Sequence, residues 1–411
     1  MQDWEKAYLR DLAKKQLEYA ALPVMAQREK NWYLHNDCLA NVPIVTVEKE
    51  TFLQDVVPPL RCEDELARTI ESRLLGKVRH HEMIDDDTVI PNFYSVPIER
   101  EFKAFDLDIA EHRTDKDSIG YHLDHPVQDL EDDFGLLKKS TWRFGVEKAK
   151  LEQEQTQEII GDLMPVQIRG GCFYMTPARA VFNAMGLENM MCAMYDYPDE
   201  FHQMMRMLTD DILEFKAEAQ RVGALTLNDG NDWLNQGSYA FSHDLPQHKN
   251  PGEAVGFGDI WGYMDSQETV DISPDMFEEF FFRYYLEVTK DFGLLSYGCC
   301  EPVSDYWEKS LHRLENLRKV SISAWCNEEY MGERLRGKKV VYLRKPSPNF
   351  FGVDEVFDEK AFEAHIAKTL RAAKGCQVEF AFRDVYTLKG DPLRAKRGVQ
   401  IVRNCIERYW E

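Results

Sequence analysis

The feature that most constrains this chain is a rhythm. Eight short apolar runs, Ile44–Val47, Val89–Tyr94, Val166–Arg169, Leu225–Asn228, Leu294–Tyr297, Val320–Ala324, Val340–Leu343 and Val378–Phe382, are separated by longer stretches with apolar residues at three- and four-residue steps. Continuous apolar runs mark strands covered on both faces, and the intervening spacing is that of crossover helices. The alternation predicts an α/β fold, and eight repeats predict a single (β/α)8 TIM barrel spanning residues 1–411. No G-x-G-x-x-G turn follows an early strand, which argues against a doubly wound dinucleotide fold.

Two stretches break the rhythm. Residues 1–40 carry Trp4, Tyr8, Leu12, Leu17, Tyr19 and Leu22 near helical spacing, interrupted at Pro23, and read as an N-terminal helical extension. Residues 229–271, rich in Gly, Asp and aromatics, read as a long active-site loop after the fourth strand. The charged stretch Phe102 to Asp133, including Asp106, Asp115, Asp117 and Glu131-Asp132-Asp133, reads as a solvated loop, and His80-His81 as an exposed helix end.

With 50 Lys+Arg against 72 Asp+Glu the net charge is -22, which argues against nucleic acid or an anionic membrane as the main partner. The chain shows no basic-then-apolar leader and no run of about eighteen apolar residues, so neither secretion nor membrane insertion is expected. Its nine cysteines lack the spacing of a disulfide framework, which fits a reducing cytoplasm. A homodimer is the default expectation for a soluble enzyme.

In a barrel, residues that follow the strands converge on one mouth. Leu294–Pro302 is the richest such place, because an apolar run stops on Cys299, Cys300 and Glu301, offering soft and hard ligand atoms together. Cys299, Cys300 and Asp384 are the candidate metal ligands, and Asp229, Asp232 and Glu301 the candidate catalytic carboxylates. Arg169, Asn228, Trp233, Tyr297, Asn327, Arg344, Lys345 and Arg383 are the candidate substrate contacts. For any one of these the plainer alternative stays open: a buried small hydrophobe for a cysteine, a local ion pair for a charged residue.

Several separated motifs resemble the uroporphyrinogen decarboxylase superfamily from about Gly161 onward. Gly186-Leu-Glu through Pro198-Asp-Glu-Phe-His202 resembles its G-x-E … P-E-x-x-H step into a long helix, and Ile272-Ser-Pro-Asp-Met-Phe-Glu-Glu-Phe280 its I-S-P-E-M-F-x-E-F helix start. Lys345-Pro346-Ser-Pro348 and Arg383-Asp384 through Asp391-Pro392 resemble decarboxylase-like proteins of the same superfamily. The resemblance implies a (β/α)8 barrel. The arginine-rich R-Q-A-G-R element of the tetrapyrrole decarboxylases has no counterpart, so the cobamide-dependent methyltransferase branch is the nearer one. That branch implies zinc at an H-x-C-G strand end and a second cysteine after the last strand. Here Tyr297-Gly298-Cys299-Cys300 stands at the first place, without the histidine, and Asp384 near the second. The resemblance further implies a small methyl donor or acceptor and a corrinoid supplied by a separate protein, since no D-x-H-x-x-G loop is present. The alternatives are a metal-independent decarboxylase or lyase of a small polycarboxylate, using Asp229 with Arg169, Arg344 and Arg383, and a non-catalytic small-molecule-binding barrel.

Overall fold

A computed structural model describes residues 1–40, 42–113, 120–250 and 252–410. Its central strands are β1 (Ile44–Val47), β2 (Tyr94–Pro97), β3 (Val166–Arg169), β4 (Phe173–Tyr174), β5 (Trp261–Met264), β6 (Leu294–Tyr297), β7 (Leu317–Ile322), β8 (Val341–Arg344) and β9 (Gln377–Phe382). Seven of them form one parallel sheet in the order β1-β9-β8-β7-β6-β5-β4, and β2 pairs in parallel with β3. The chain runs from β3 through Gly170-Gly171-Cys172 straight into β4, so one stretch of backbone joins the two ladders. No ladder joins β1 to β2. The Val45 and Val47 N–H groups donate instead to Asp87 Oδ2 at 2.8 Å and Asp86 Oδ2 at 2.7 Å, so carboxylates replace the missing strand.

Two strand expectations need correction. Leu225–Asn228 is not a strand, although its side chains patch the sheet: Asn228 Oδ1 accepts from Trp261 N at 2.8 Å and its Nδ2 donates to Trp261 O at 3.1 Å. The strand at that place is β5, inside the stretch expected to be loop. The second strand begins at Tyr94 rather than Val89, because Pro91 cannot donate to a ladder.

The remainder of the 229–271 stretch is mostly packed inside the molecule. Trp233 bridges Tyr239 across a hairpin whose tip, Asn235-Gln236-Gly237, has positive φ at all three residues (67°, 57° and 81°). A Cβ on Gly237 would lie 3.0 Å from Ala381 Cβ, so only glycine suits both the turn and the close approach. Contacts reach this hairpin from opposite parts of the sheet. Thr46 on β1 donates to Gly237 O, Lys319 on β7 to Ser238 Oγ, and Trp261 on β5 to Ala240 O. The sheet therefore curls around its own hairpin.

The N-terminal extension forms α1 (Asp3–Ala20) and α2 (Pro23–Asn36), divided where Pro23 takes the first helical position. Asn36 on α2 donates to Tyr239 O and Phe241 O, fixing the hairpin from below. Beside them lies a closed ionic cluster. Lys319 Nζ is 2.7 Å from Glu379 Oε2, His35 Nε2 is 3.5 Å from the same oxygen, and all three side chains are fully buried. Burial lowers the His35 pKa, so neutral imidazole is favoured there.

After β1 the chain forms α3 (Glu65–Met83), capped by Asp64, which accepts from Ala67 N. His80 is not the exposed residue expected of this helix end: it is buried, with Nε2 2.9 Å from Asp86 Oδ1. The charged stretch near Phe102 is not all loop either, since Arg100–Lys103 pairs with Thr141–Phe144 and Glu111–Arg113 with Tyr121–Leu123. Asp115 and Asp117 lie outside the described residues. Among the described residues no helix is long and apolar enough to cross a membrane.

Candidate active site

Strand β6 ends on Tyr297, and Gly298 turns the chain with φ of 100°. A side chain there would press within 3.0 Å of Ser321 Cβ and 3.2 Å of Val303 Cγ1, so the turn depends on glycine. Because the strand geometry stops at this residue, Cys299 and Cys300 need not alternate between faces, and their sulfurs lie 3.5 Å apart. Cys300 Sγ donates to Asp384 Oδ2 at 3.6 Å, and Arg383 Nη1 donates to Cys299 Sγ at 3.3 Å. The ends of β6 and β9 thus meet, 84 residues apart in sequence.

Lys345, after β8, donates to Cys299 O at 3.1 Å, to Gly298 O at 3.3 Å and to Gln236 Oε1 at the hairpin tip. Glu48, after β1, lies 3.3 Å from Arg383 Nε. Glu301 is fully buried: Oε2 accepts from Cys299 N at 2.8 Å and Oε1 from Ser266 N at 2.9 Å. Asp265, after β5, accepts from the hydroxyls of Tyr263 at 2.8 Å and Tyr174 at 3.2 Å, while its Oδ1 is buried without a partner.

The electrostatics follow from this crowding. The two thiols share what amounts to one easily lost proton. The Cys299 thiol is held below its ordinary value by the bond from Cys300 and by the charges of Lys345 and Arg383, and the neighbouring thiolate pushes Cys300 up. Burial, reinforced by Asp265 and Cys299, raises Glu301 to about 8, so it is protonated at neutral pH. Burial also raises Glu48, partly offset by Arg383. The cluster therefore offers a cation-flanked thiolate beside a neutral buried acid, a setting for nucleophilic and proton-transfer chemistry.

Zinc needs several thiolate, imidazole or carboxylate ligands around one point. Among the described residues, no group of three or more His, Cys, Asp and Glu side chains is placed to hold a metal ion, and Cys299 is met by a guanidinium instead. As placed, Cys299, Cys300 and Asp384 do not form a zinc cage, and no step below runs through a metal.

The other expected residues divide clearly. Arg344 faces away from Lys345, bonded to Thr369 Oγ1, Ile322 O and Ser323 O and paired with Glu328 at 3.1 Å. Asn327 caps the helix Glu328–Leu335, accepting from Tyr330 N at 3.1 Å. The Tyr297 hydroxyl is buried and has no partner. Arg169 forms a two-pronged pair with Asp232, one bond being 2.9 Å, and lies over the Phe93 ring. Asn228 and Asp229 sit at the start of β5, whereas the thiols lie beyond the end of its neighbour β6. Trp233 is half-buried in the interior hairpin.

Glu48, Asp265 and Gln236 complete the cluster and were not singled out from sequence. Glu48 directly follows a recognised strand and could have been found. Asp265 follows β5, which the loop reading hid. Around the same strand ends, large apolar side chains stand open: Trp325 after β7 is 70% exposed and Val356, in the segment after β8, 80%.

Comparisons with known proteins bear on the fold. No family model matches the chain, and no curated protein matches it. A solved structure described as a methyltransferase from Methanosarcina mazei aligns with 13% identity and a TM-score of 0.50, covering 93% of this chain and 99% of that one. The protein shares with that structure a mixed α/β fold whose curled parallel sheet delivers paired thiols, a basic pair and carboxylates to one mouth.

Proposed function

We propose that the protein is a cytoplasmic methyltransferase built on a closed (β/α)8 barrel, with β3 and β4 as one continuous stave. It moves a methyl group between a small methylated substrate or thiol and a corrinoid carried by a separate protein. One observation carries the reading: the Cys299–Cys300 pair, flanked by Arg383 and Lys345 and facing Asp384 at the strand ends. Methyl transfer suits a soft, anionic sulfur, because the S–C bond forms on an electron pair that a thiol keeps only after losing its proton. Arg383 and Lys345 favour that anionic state for Cys299 or for a substrate thiol brought beside them. Glu301, protonated and aimed at this backbone, can give or receive the proton that the sulfur exchanges. A bound corrinoid would supply a cobalt able to give or take the methyl group. The exposed Trp325 and Val356 offer an apolar rim against which a protein presenting it can seat. The lyase alternative loses two of its three clamps, because Arg344 and Arg169 are already committed to internal partners.

The experiment uses free methylcobalamin with a panel of small thiols, following loss of the methyl–cobalt absorption. The intact protein should accelerate transfer to at least one thiol, and Cys299→Ser with Cys300→Ser should abolish the acceleration while the fold remains. Equal rates in the two proteins would overturn the reading.

A further inference from the structure

A cleft opens where β1 and β2 fail to pair. It has two connected parts, of about 270 and 450 Å3, that share Lys49, Glu50, Lys77, Trp233 and Tyr239 in their walls. Its floor is the interior hairpin, where the rings of Trp233 and Tyr239 stand 5.5 Å apart and edge-on. Helix α3 forms the opposite side through Gly76 and Lys77, and Lys49 Cε lies 3.9 Å from where a Cβ on Gly76 would sit, which draws the two lysines together.

Lys77 is the unexplained residue. It is half-buried and hemmed in by protein, yet among the described residues no hydrogen bond or ion pair reaches its amine. The surface it keeps open lines both parts of the cleft. The other charges facing it are already matched: Lys49 Nζ lies 2.9 Å from Glu50, and Asp86 is held by His80. The balance is about one uncompensated positive charge beside two aromatic rings. An ammonium placed so is costly unless an anion answers it. Burial and the nearby Lys49 accordingly lower its pKa to about 8.

We propose that this cleft binds a small aromatic carboxylate, its anionic group between the Lys77 and Lys49 ammonium groups and its ring against Trp233 and Tyr239. A single net charge matches a carboxylate better than a phosphate dianion, and the flat apolar floor matches an aromatic body better than an aliphatic one. The site is separate from the thiol pair and does not depend on the methyl-transfer reading, although the two share a wall: Lys49 lines the cleft, and the adjoining Glu48 pairs with Arg383.

The test is calorimetric titration of the intact protein with benzoate, benzamide and inorganic phosphate. Benzoate should bind at least tenfold more tightly than benzamide, which lacks the charge, and than phosphate, which lacks the ring. Lys77→Gln should weaken benzoate at least tenfold, while Lys77→Arg should hold it within about threefold. Circular dichroism should show both variants folded; if Lys77→Gln does not fold, Lys77→Arg and the ligand comparison decide. Absence of benzoate binding, benzamide binding equal to benzoate, or tighter phosphate would each overturn the assignment.

Discussion

Two clusters of buried charge sit within this sheet, and they are built differently. In the Lys319–Glu379–His35 cluster, cation and carboxylate are in contact, every side chain is sealed from solvent, and Trp32 lies 5.0 Å from the ammonium. In the Cys299–Asp384 cluster the groups come from several strand ends, Cys300 and Asp384 keep partial access to solvent, and Asp265 Oδ1 is buried without a partner. The first can only hold the fold together. The second retains unmatched thiol and acid groups on an open face, which is the expected signature of a site that awaits another molecule.

The sharpest way to break this contrast is to remove one partner from each. Lys319→Met leaves Glu379 charged and dry, and should lower unfolding stability by roughly 3–5 kcal/mol, read by urea denaturation. A loss below about 1 kcal/mol would mean that the sealed cluster is not structural. Next in size is Gly237→Ala, which forces a side chain onto a positive φ and against Ala381, and should cost about 1–3 kcal/mol while loosening Gln236 from Lys345.

Arg383→Gln addresses the open cluster and should act more on reactivity than on stability. The folded Cys299 pKa is lowered, so its contribution to stability is present above the ordinary thiol value near 9 and is lost as pH falls through the folded value. Without the guanidinium, alkylation of the pair by iodoacetamide should slow at neutral pH, and its pH midpoint should rise by about one unit. An unchanged profile would sever the thiol from its supposed cation. Smallest is Lys77→Met, expected to stabilise the unliganded protein by about 1 kcal/mol at pH 7. The folded Lys77 pKa of about 8 lies below 10.5, so between these values the unfolded chain binds more protons. The advantage of Met should therefore be full below pH 8 and fade toward 10.5, as thermal unfolding across that range would show.

The parallel strands β1, β3, β6, β7, β8 and β9 were legible because continuous apolar runs are hard to place anywhere but under two layers. Strand β5 was not. Trp261-Gly262-Tyr263-Met264 contains a glycine, packed where a Cβ would meet the Phe292 ring at 2.6 Å, and it follows a polar, glycine-rich stretch. Leu225–Asn228 attracted the assignment instead because its side chains do serve the sheet, through hydrogen bonds that composition cannot reveal. The meeting of Cys299, Cys300, Asp384, Arg383 and Lys345 was legible from strand ends alone. The separation of Asn228 and Asp229 from them was not, because it depends on a hairpin threading the interior, and no local pattern announces where a loop goes.

That hairpin also sets what the mouth can admit. Gln236, held by Lys345, stands as a floor directly beneath the strand ends, so the opening is a shallow dish rather than a well. Molecules would be sorted there by breadth and by how they lie across the rim, and a change at this single tip residue would deepen the vessel without touching its walls.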